Sequence, residues 1–416
     1  MPSVEIIAVG TELLLGQLLD TNTAHIAGQL AASGMNVYGT HTVGDNRERI
    51  AAAIERALDR ADGVITSGGL GPTVDDLTKE AVCDALELPL DLHEPSLRAM
   101  EELFAMFGRS MRENNRKQAM MPRGAYVLAN PNGSAPGFVA FRTDGKFVAS
   151  MPGVPSEMRA MLAERLLPWL GERFGSQTAF YTRVLHTIGL GESEIDHRID
   201  ELFRTLENPK IGILAHGSRC DVKLMAKASS AEEAEELFAP IQSQIEAQLA
   251  GHLYGRDAQT LESVIHERLQ SLGQRVAVAE SCTGGLICAA LTSVPGASQS
   301  FLGGVIAYDN SVKTDVLSVD PSTIERFGAV SAEAAAQMAA GAMRSFNADV
   351  ALATTGIAGP GGGSAEKPVG LVWIALVDRK GHAESRKLQF PGERAVIQAR
   401  ATTSALGLLW RHLGSH

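Results

Sequence analysis

One pattern recurs along this chain and constrains its fold more than any other feature. In it, a short apolar strand segment leads into a glycine-rich polar turn and then into a helical pattern. Residues 4–9, 63–66, 276–279 and 350–355 are strand segments of this kind. Strands that alternate with helices of ordinary length predict a parallel sheet with helices on both faces. The sequence therefore predicts an α/β fold.

Length and composition predict more than one globular domain. The chain has 416 residues, of which 45% are hydrophobic and 20% are charged. The sequence pattern changes near residue 171, and we expect a short polar linker over 254–259. We therefore predict an N-terminal parallel-sheet domain over 1–170, a small central α/β domain over 171–253 and a C-terminal α/β domain over 258–416.

Charge and cysteine content exclude several classes of protein. The formal net charge of −11 argues against direct nucleic-acid binding, because such surfaces carry a basic stripe. The four cysteines include no pair at metal-ligand spacing, so we expect neither a zinc site nor a disulfide framework. The N-terminus lacks a signal-peptide pattern and no apolar run reaches membrane-spanning length, which predicts a cytoplasmic protein with no membrane contact.

Ser281 follows one of the strand segments and stands just before Gly284 and Gly285, at the expected start of a helix. A hydroxyl on such a turn is held rigidly, and the free N–H groups of a new helix favour negative charge beside it. This arrangement suits a serine nucleophile next to an oxyanion site. Serine is also a common helix N-cap, and the turn taken alone favours that structural role.

Two later strand ends favour a catalytic role for Ser281 over the structural role of an N-cap. Tyr308 and Lys313 follow the next strand segment, and Thr355 ends the one after it. Because the carboxyl ends of parallel strands meet at one edge of a sheet, we expect these side chains to converge with Ser281. A lysine can serve as base for a serine when desolvation lowers its pKa towards neutrality. No histidine lies near these strand ends, so a Ser-His-Asp triad has little support.

A polar stretch over 67–78 follows the strand segment at 63–66. It contains three glycines and an acid pair: Gly68, Gly69, Gly71, Asp75 and Asp76. Glycines before a helix let backbone amides approach a phosphate, and paired carboxylates suit a Mg²⁺-like ion that also takes phosphate oxygens. Thr73 and Asp76 also fit a helix capping box, and the residues alone leave both interpretations open.

The C-terminal segments 279–285, 308–313, 354–362 and 390–394 resemble the nicotinamide mononucleotide deamidase domain of the CinA family. The resemblance implies hydrolysis of nicotinamide mononucleotide to nicotinate mononucleotide and ammonia, without a cofactor. It also implies roles for individual residues, with Ser281 as the nucleophile.

On this resemblance Lys313 is the base and Tyr308 assists proton transfer. The implied substrate-binding residues are Thr283, Gly284, Gly285, Thr355, Gly356 and, for the phosphate, Arg394. The family often has a second arginine four residues after Arg394. This chain has Gln398 there, and Arg400 is the arginine expected to replace it.

The N-terminal part resembles the first domain of the same family, which is related in fold to molybdopterin-binding proteins. The matching segments are 10–16, 21–23, 43–46, 67–78, 115–118, 130–137 and 152–157. The resemblance implies a pyrophosphatase that uses a divalent metal ion to split ADP-ribose into AMP and ribose 5-phosphate. The implied metal ligands are Asp75, Asp76, Glu12 and Asp45, and the implied substrate contacts are Gly68, Gly69, Gly71, Asn22, Asn115 and Lys117.

Together these resemblances predict a bifunctional hydrolase of the pyridine-nucleotide cycle that forms a homodimer. The alternative is a non-catalytic adapter that acts in competence or the DNA-damage response through protein partners. The central domain shows no cluster of catalytic residues.

Overall fold

The computed structural model describes residues 2–108, 110–130, 132–175, 178–217 and 219–414. The chain forms two compact units. One consists of Met1–Tyr181 with Lys227–Glu235, and the other of Thr182–Ala226 with Glu236–His416. Within the described ranges, none of the helices has both the length and the apolar character needed to cross a bilayer.

The first unit is built on a six-stranded sheet in the order β2-β1-β3-β8-β7-β6. Its strands and helices in chain order are β1 (Ser3–Val9), α1 (Thr11–Leu14), α2 (Thr21–Ala32), β2 (Asn36–Val43), α3 (Arg47–Arg60), β3 (Gly63–Ser67), α4 (Thr78–Leu86), β4 (Leu90–Leu92), α5 (Glu94–Met106), β5 (Met120–Pro122), β6 (Tyr126–Leu128), β7 (Gly137–Phe141), β8 (Phe147–Met151), α6 (Pro155–Met161) and α7 (Leu167–Phe174). A 3-10 turn over Glu113–Ala119 precedes β5.

The predicted parallel sheet is present in this unit, and the structure adds two antiparallel strands at one edge. Strands β2, β1, β3 and β8 run parallel, but β7 and β6 are antiparallel to their neighbours. The chain between β6 and β8 is too short to carry a crossover helix, so these strands pair as hairpins.

Helices cover both faces of the sheet, as predicted. Alternate residues of β1 point to opposite faces, so Ile6 packs in the core with Ile26 of α2, whereas Ile7 packs with Ile50 and Ile54 of α3. Both covering helices have side-chain N-caps. Asp20, for example, accepts the Thr23 N–H at 3.0 Å.

The central elements form a four-stranded sheet in the order β10-β11-β9-β12. They are β9 (Ala179–Ile188), α8 (Glu192–Thr205), β10 (Lys210–His216), β11 (Arg219–Ala228), α9 (Ala231–Gln248) and β12 (Leu253–Arg256). The expected polar linker at 254–259 is wrong in its first half, because Leu253–Arg256 pairs antiparallel with β9. Tyr254 of this strand is buried, and its ring stacks on His186 of β9.

The C-terminal sheet has the order β14-β13-β15-β16-β17. Its elements are α10 (Leu261–Ser271), β13 (Val276–Glu280), α11 (Leu286–Thr292), β14 (Phe301–Ile306), α12 (Asn310–Asp315), α13 (Pro321–Phe327), α14 (Ala332–Phe346), β15 (Val350–Gly356), β16 (Leu371–Asp378), β17 (Ala383–Gln389) and α15 (Arg394–Gly414). Strands β14, β13 and β15 are parallel, so their carboxyl ends meet at one edge. The last two strands, β16 and β17, form an antiparallel hairpin.

Candidate active sites

A cavity of about 230 Å³ lies at the edge where β13, β14 and β15 end. It is lined by Ser281, Cys282, Tyr308, Asn310, Lys313, Ala329, Val330, Thr355, Gly356, Ala358 and Arg394. The three strand ends singled out in the sequence therefore meet in one place. The parallel register explains this convergence, because Glu280 lies opposite Ile306 on one side and Thr354 on the other.

Lys313 is the most deeply buried charged residue of this cavity, with 1% of its surface exposed. It stands on α12, and its Nζ donates to the carbonyl oxygens of Ala307 at 2.7 Å and Tyr308 at 3.4 Å. Desolvation by burial lowers the pKa of Lys313, although the nearby Asp309 carboxylate opposes this shift. A lysine in this setting is easier to deprotonate than one in water.

Ser281 lies on the turn after β13 with 8% of its surface exposed. Its N–H donates to the carbonyl of Thr354, and its own carbonyl accepts the Gly284 N–H. Its hydroxyl makes no hydrogen bond to another described residue, and this includes Lys313. The hydroxyl and the amine thus share a cavity without a direct bond between them.

The expected oxyanion site at the first amides of α11 is wrong. The carboxylate of Glu280, which has no exposed surface, accepts the N–H groups of Gly285, Ile287 and Cys288 at 2.9, 3.2 and 2.8 Å. A carboxylate thus already satisfies the helix N-terminus. The N–H groups of Cys282 and Thr283 have no acceptor among the described residues, so they are the donors left beside Ser281.

Three predicted substrate contacts do not line the cavity. The Thr283 hydroxyl is buried and pairs with the Thr354 hydroxyl at 2.7 Å, so it faces the sheet. The Gly284 N–H bonds back to Ser281, and the Gly285 N–H is held by Glu280. The Thr283 side chain and the two glycines shape the turn instead, and only the backbone N–H of Thr283 stays without an acceptor among the described residues.

Thr355 and Gly356 do line the cavity. The Thr355 hydroxyl donates to the carbonyl of Ala329 at 2.7 Å, which connects β15 to the segment before α14. The predicted contact of Thr355 with substrate stays a prediction.

Arg394 reaches the cavity from the start of α15. Its guanidinium donates to the Tyr308 hydroxyl at 2.6 Å and to the carbonyl of Gly359 at 2.9 Å. Three of its five N–H groups therefore remain for an anion. Arg400, the expected replacement for the family's second arginine, is not among the residues that line the cavity.

Gln398 does not act as a second anion ligand in this structure. Its Nε2 donates to the carbonyl of Cys282 at 2.7 Å and so binds α15 to the turn that carries Ser281. Sequence reasoning missed this role and that of Glu280. Their positions were the available sequence signal. Glu280 directly precedes the serine, and Gln398 lies in the second turn of the last helix.

A larger cavity of about 470 Å³, here called the loop cavity, lies at the edge of the first sheet where β1 and β3 end. Its lining residues include Glu12, Asp45, Gly68, Gly69, Leu70, Gly71, Asp75, Asp76, Gln118, Ser134, Gly153 and Glu157. The predicted glycines and all four predicted carboxylates are therefore brought together.

The glycine loop leaves backbone donors free. The N–H groups of Gly69, Leu70 and Gly71 have no acceptor among the described residues. Gly68 has φ +110°, and a Cβ there would lie 2.2 Å from the carbonyl oxygen of Val9, so only glycine fits. Adjacent free amides of this kind form an anion-binding concavity.

The alternative role of Thr73 and Asp76 as a helix capping box is wrong. Helix α4 begins at Thr78, two residues beyond the acid pair, and its N-cap Leu77 makes no side-chain bond. The Asp76 carboxylate instead accepts the N–H of Thr73 at 2.8 Å and its hydroxyl. This closes the loop on itself.

The four carboxylates do not form a closed metal cage. Across the described ranges, no group of three or more His, Cys, Asp or Glu side chains is arranged to hold a metal ion. Asp45 accepts the Thr11 N–H at 2.8 Å and Asp76 is bonded to Thr73, so both are partly used. Such an open set still fits a Mg²⁺-like ion, which takes one or two carboxylates plus water and phosphate oxygens.

Three predicted substrate contacts, Asn22, Asn115 and Lys117, lie outside the loop cavity. Asn115 donates to Oε1 of Gln118 at 3.4 Å. Asn22 donates to the Ser67 hydroxyl at 3.1 Å and to the carbonyl of Gly153 at 2.8 Å. Lys117 donates to the carbonyls of Thr73 and Asp76 and pairs with Glu80. Asn22 and Lys117 therefore bond to backbone carbonyls of residues that line the cavity.

The structure adds Lys79 and Gln118 to this site. Lys79 is buried on α4, where desolvation lowers its pKa to about 7, and its Nζ donates to the carbonyl of Gln118. Gln118 lines the loop cavity. A lysine among the apolar residues of α4 was the available sequence signal.

Family models match three consecutive parts of the chain. Residues 5–172 match a probable molybdopterin binding domain, 182–255 the damage-inducible protein CinA KH domain, and 258–413 the CinA C-terminal domain. A relative from Caldicellulosiruptor saccharolyticus, named as a competence-damage inducible protein, is 45% identical over 97% of this chain and 98% of its own length. The chain belongs to the CinA family.

Other CinA-family proteins show the same full-length similarity. A relative from Moorella thermoacetica is 44% identical over 98% of both chains, and a CinA-like protein of Gloeothece citriformis is 41% identical over 99% of both.

A solved structure of the competence/damage inducible protein CihA from Agrobacterium tumefaciens covers 36% of this chain and 91% of its own, with 45% identity and a TM-score of 0.35. The predicted family and α/β fold class, with a molybdopterin-binding-like first domain, are confirmed.

Proposed function

We propose that the C-terminal cavity hydrolyses the carboxamide of nicotinamide mononucleotide to nicotinate mononucleotide and ammonia. One observation carries the proposal: Ser281 and the segment that holds Tyr308 and Lys313 are distant in the chain but line one cavity, in which burial lowers the pKa of the lysine. A hydroxyl beside a readily deprotonated amine is the arrangement that serine–lysine hydrolases use.

The hydrogen bonds of Lys313 favour its role as a base. A neutral amine has two N–H groups and one lone pair. The carbonyls of Ala307 and Tyr308 accept both N–H groups, which leaves the lone pair to take a proton. Because Ser281 and Lys313 are not directly bonded, the transfer requires rotation of the serine side chain or one bridging water.

The reaction proceeds through an ester on Ser281. Its oxygen attacks the carboxamide carbon while its proton passes to Lys313, and the N–H groups of Cys282 and Thr283 bind the resulting oxyanion. The C–N bond then breaks, and the proton moves from Lys313 to the departing nitrogen, which leaves as ammonia. Water attacks the ester carbon and gives a proton to Lys313, which returns it to the serine oxygen as the ester bond breaks.

Tyr308 and Arg394 lie at the outer side of this cavity. The guanidinium donates to the phenolic oxygen at 2.6 Å and so fixes the tyrosine, whose ring is largely exposed. The phenolic proton then points away from the arginine, where it can assist proton transfer to the leaving nitrogen. The remaining N–H groups of Arg394 are available to the phosphate of the substrate.

The decisive experiment is ammonia release from nicotinamide mononucleotide by wild type and Ser281→Ala. We expect the variant to lose at least about a thousandfold in kcat, because a nucleophile cannot be replaced by its methyl analogue. The matched control is Ser293→Ala, an exposed serine after α11, which should keep wild-type activity. Normal ammonia release by Ser281→Ala would place the nucleophile elsewhere. A well-folded wild-type protein that releases no ammonia would favour the adapter alternative.

We also propose that the loop cavity cleaves the diphosphate of ADP-ribose into AMP and ribose 5-phosphate. The free N–H groups of Gly69, Leu70 and Gly71 bind phosphate oxygens, and the cavity edge carries Asp75 and Asp76. These two carboxylates would hold a divalent ion, with Glu12 and Asp45 on the same cavity wall. When bound, such an ion neutralises phosphate charge and lowers the pKa of water.

The test of this second activity is AMP formation from ADP-ribose over a titration of divalent metal. Asp76→Ala should reduce cleavage by about a hundredfold or require far more metal, because it removes a carboxylate and opens the loop. Deamidation should be unchanged in this variant. Asp59→Asn, on the exposed end of α3, is the control. A wild-type metal titration for Asp76→Ala would overturn the assignment.

A further inference from the structure

A third cavity of about 380 Å³ lies beside the loop cavity in the first unit. Ala99, Leu103 and Met106 of α5 form one wall, and Val127 and Pro136 belong to the other. These side chains are apolar, whereas His93, Ser96, Glu102 and Asn130 add polar groups to the lining. A mainly apolar cavity with a carboxylate in its lining suits a flat heteroaromatic group more than a phosphate. We call it the apolar cavity.

The two cavities meet at Ser134, which lines both. The Ser134 hydroxyl donates to Oε1 of Gln118 at 3.2 Å, and Asn115 donates to the same oxygen at 3.4 Å. The backbone of Gln118 is fixed as well, because Lys79 donates to its carbonyl. No described residue accepts a hydrogen bond from Nε2 of Gln118, so this amide remains as a donor beside Ser134.

This arrangement combines two chemistries within one continuous surface. The glycine loop offers three backbone N–H groups to anionic oxygens, and the apolar cavity offers a mainly apolar surface to an aromatic ring. A ligand that satisfies both has a diphosphate at one end and a flat heteroaromatic base nearby, which describes a nucleoside diphosphate.

We propose that the apolar cavity binds the base of the nucleotide whose diphosphate lies in the loop cavity, with Gln118 donating to the ligand between them. The inference rests on the proposed diphosphate-cleaving function, and it names the part of the substrate that each cavity recognises. The nucleoside half of the substrate then lies against α5, and the reacting phosphorus atoms stay at the glycine loop.

The test uses the full-length protein and two ligands that differ only in the nucleoside, ADP and inorganic pyrophosphate. Ala99→Trp fills the apolar cavity from an exposed position on α5. Ala105→Trp makes the same change at another exposed position of the same helix, outside the cavity lining, and is the control. Dissociation constants of both ligands are measured by calorimetry on each protein.

Wild type should bind ADP more tightly than pyrophosphate, because the base buries apolar surface. Ala99→Trp should weaken ADP binding by about tenfold or more and change pyrophosphate binding by about twofold at most. Ala99→Leu should give an intermediate loss and replaces the tryptophan variant if that variant does not fold. Ala105→Trp should match wild type.

Several results would overturn the inference: ADP binding that Ala99→Trp leaves unchanged, ADP binding no tighter than pyrophosphate binding in wild type, or equal weakening of both ligands. ADP-ribose hydrolysis by wild type is measured separately. If wild type hydrolyses ADP-ribose but the binding data show any of these three results, only the base site is rejected. The expected binding pattern without hydrolysis would reject the proposed pyrophosphatase and keep the base site.

Discussion

Gln398 on α15 donates a hydrogen bond of 2.7 Å to the carbonyl of Cys282, the residue directly after Ser281. The bond joins two segments 116 positions apart in the chain. It fixes the peptide unit between Cys282 and Thr283, to which the N–H of Thr283 belongs. The orientation of one proposed oxyanion donor therefore depends on a side chain in the last helix.

Gln398→Ala should lower kcat for deamidation by about tenfold with little change in KM, because loss of the bond loosens an oxyanion donor without removing a substrate contact. Gln398→Arg should restore most of kcat, since its guanidinium can donate to the same carbonyl. Steady-state kinetics on nicotinamide mononucleotide check both. Ser404→Ala, further along α15, is the control, and an unaltered kcat in Gln398→Ala would contradict this role.

The pH dependence of deamidation should report Lys313. The base must be neutral, so kcat/KM should rise with pH and level off below the usual lysine pKa, because burial lowers the pKa of Lys313. Asp309 raises that pKa through its charge. Asp309→Asn should therefore move the rising limb to lower pH, while Asp315→Asn should leave it in place. A limb that Asp309→Asn moves to higher pH would count against Lys313 as the base.

Glu280→Gln should destabilise the C-terminal unit by about 2–3 kcal/mol, because a buried amide cannot accept all the N–H groups that the carboxylate accepts. The α11 N–H groups released by the change lie next to Ser281, so deamidation should also fall. Chemical denaturation and ammonia release measure the two effects. Glu267→Gln, on the exposed side of α10, should change neither, and equal stability of both variants would refute the capping role.

Lys79 should make the stability of the first unit depend on pH. Its pKa falls from 10.5 to about 7 on folding through desolvation, so between these values the unfolded chain holds a proton that the folded chain lacks. The free energy of unfolding should therefore rise with pH in that window, by about 2 kcal/mol from pH 7 to pH 9, and be insensitive to this group below pH 7.

Lys79→Met should remove this rise, and Lys146→Met should keep it. Denaturant unfolding of the three proteins at several pH values provides the measurement. Parallel pH profiles for wild type and Lys79→Met would show that the amine of Lys79 stays protonated in the folded protein.

The sequence by itself determined the strand segments, the order of the helices and the residue types at each strand end. These are local properties, because periodicity of two or 3.6 and the conformational needs of glycine act over a few neighbouring residues. The convergence of Ser281, Tyr308 and Lys313 followed from one further rule, that parallel strands end at the same edge. Each motif that resembles the CinA family is likewise a short run of consecutive residues.

Only the tertiary structure decided which donor and acceptor atoms of those turns remain available to bind a substrate. Glu280 takes the helix amides that the sequence offered as an oxyanion site, and the Thr283 hydroxyl faces the sheet. The roles of Gln118 and Gln398 depend on partners from distant segments. Side-chain direction and the occupancy of each donor are set by long-range packing, which leaves no periodic signal in the sequence.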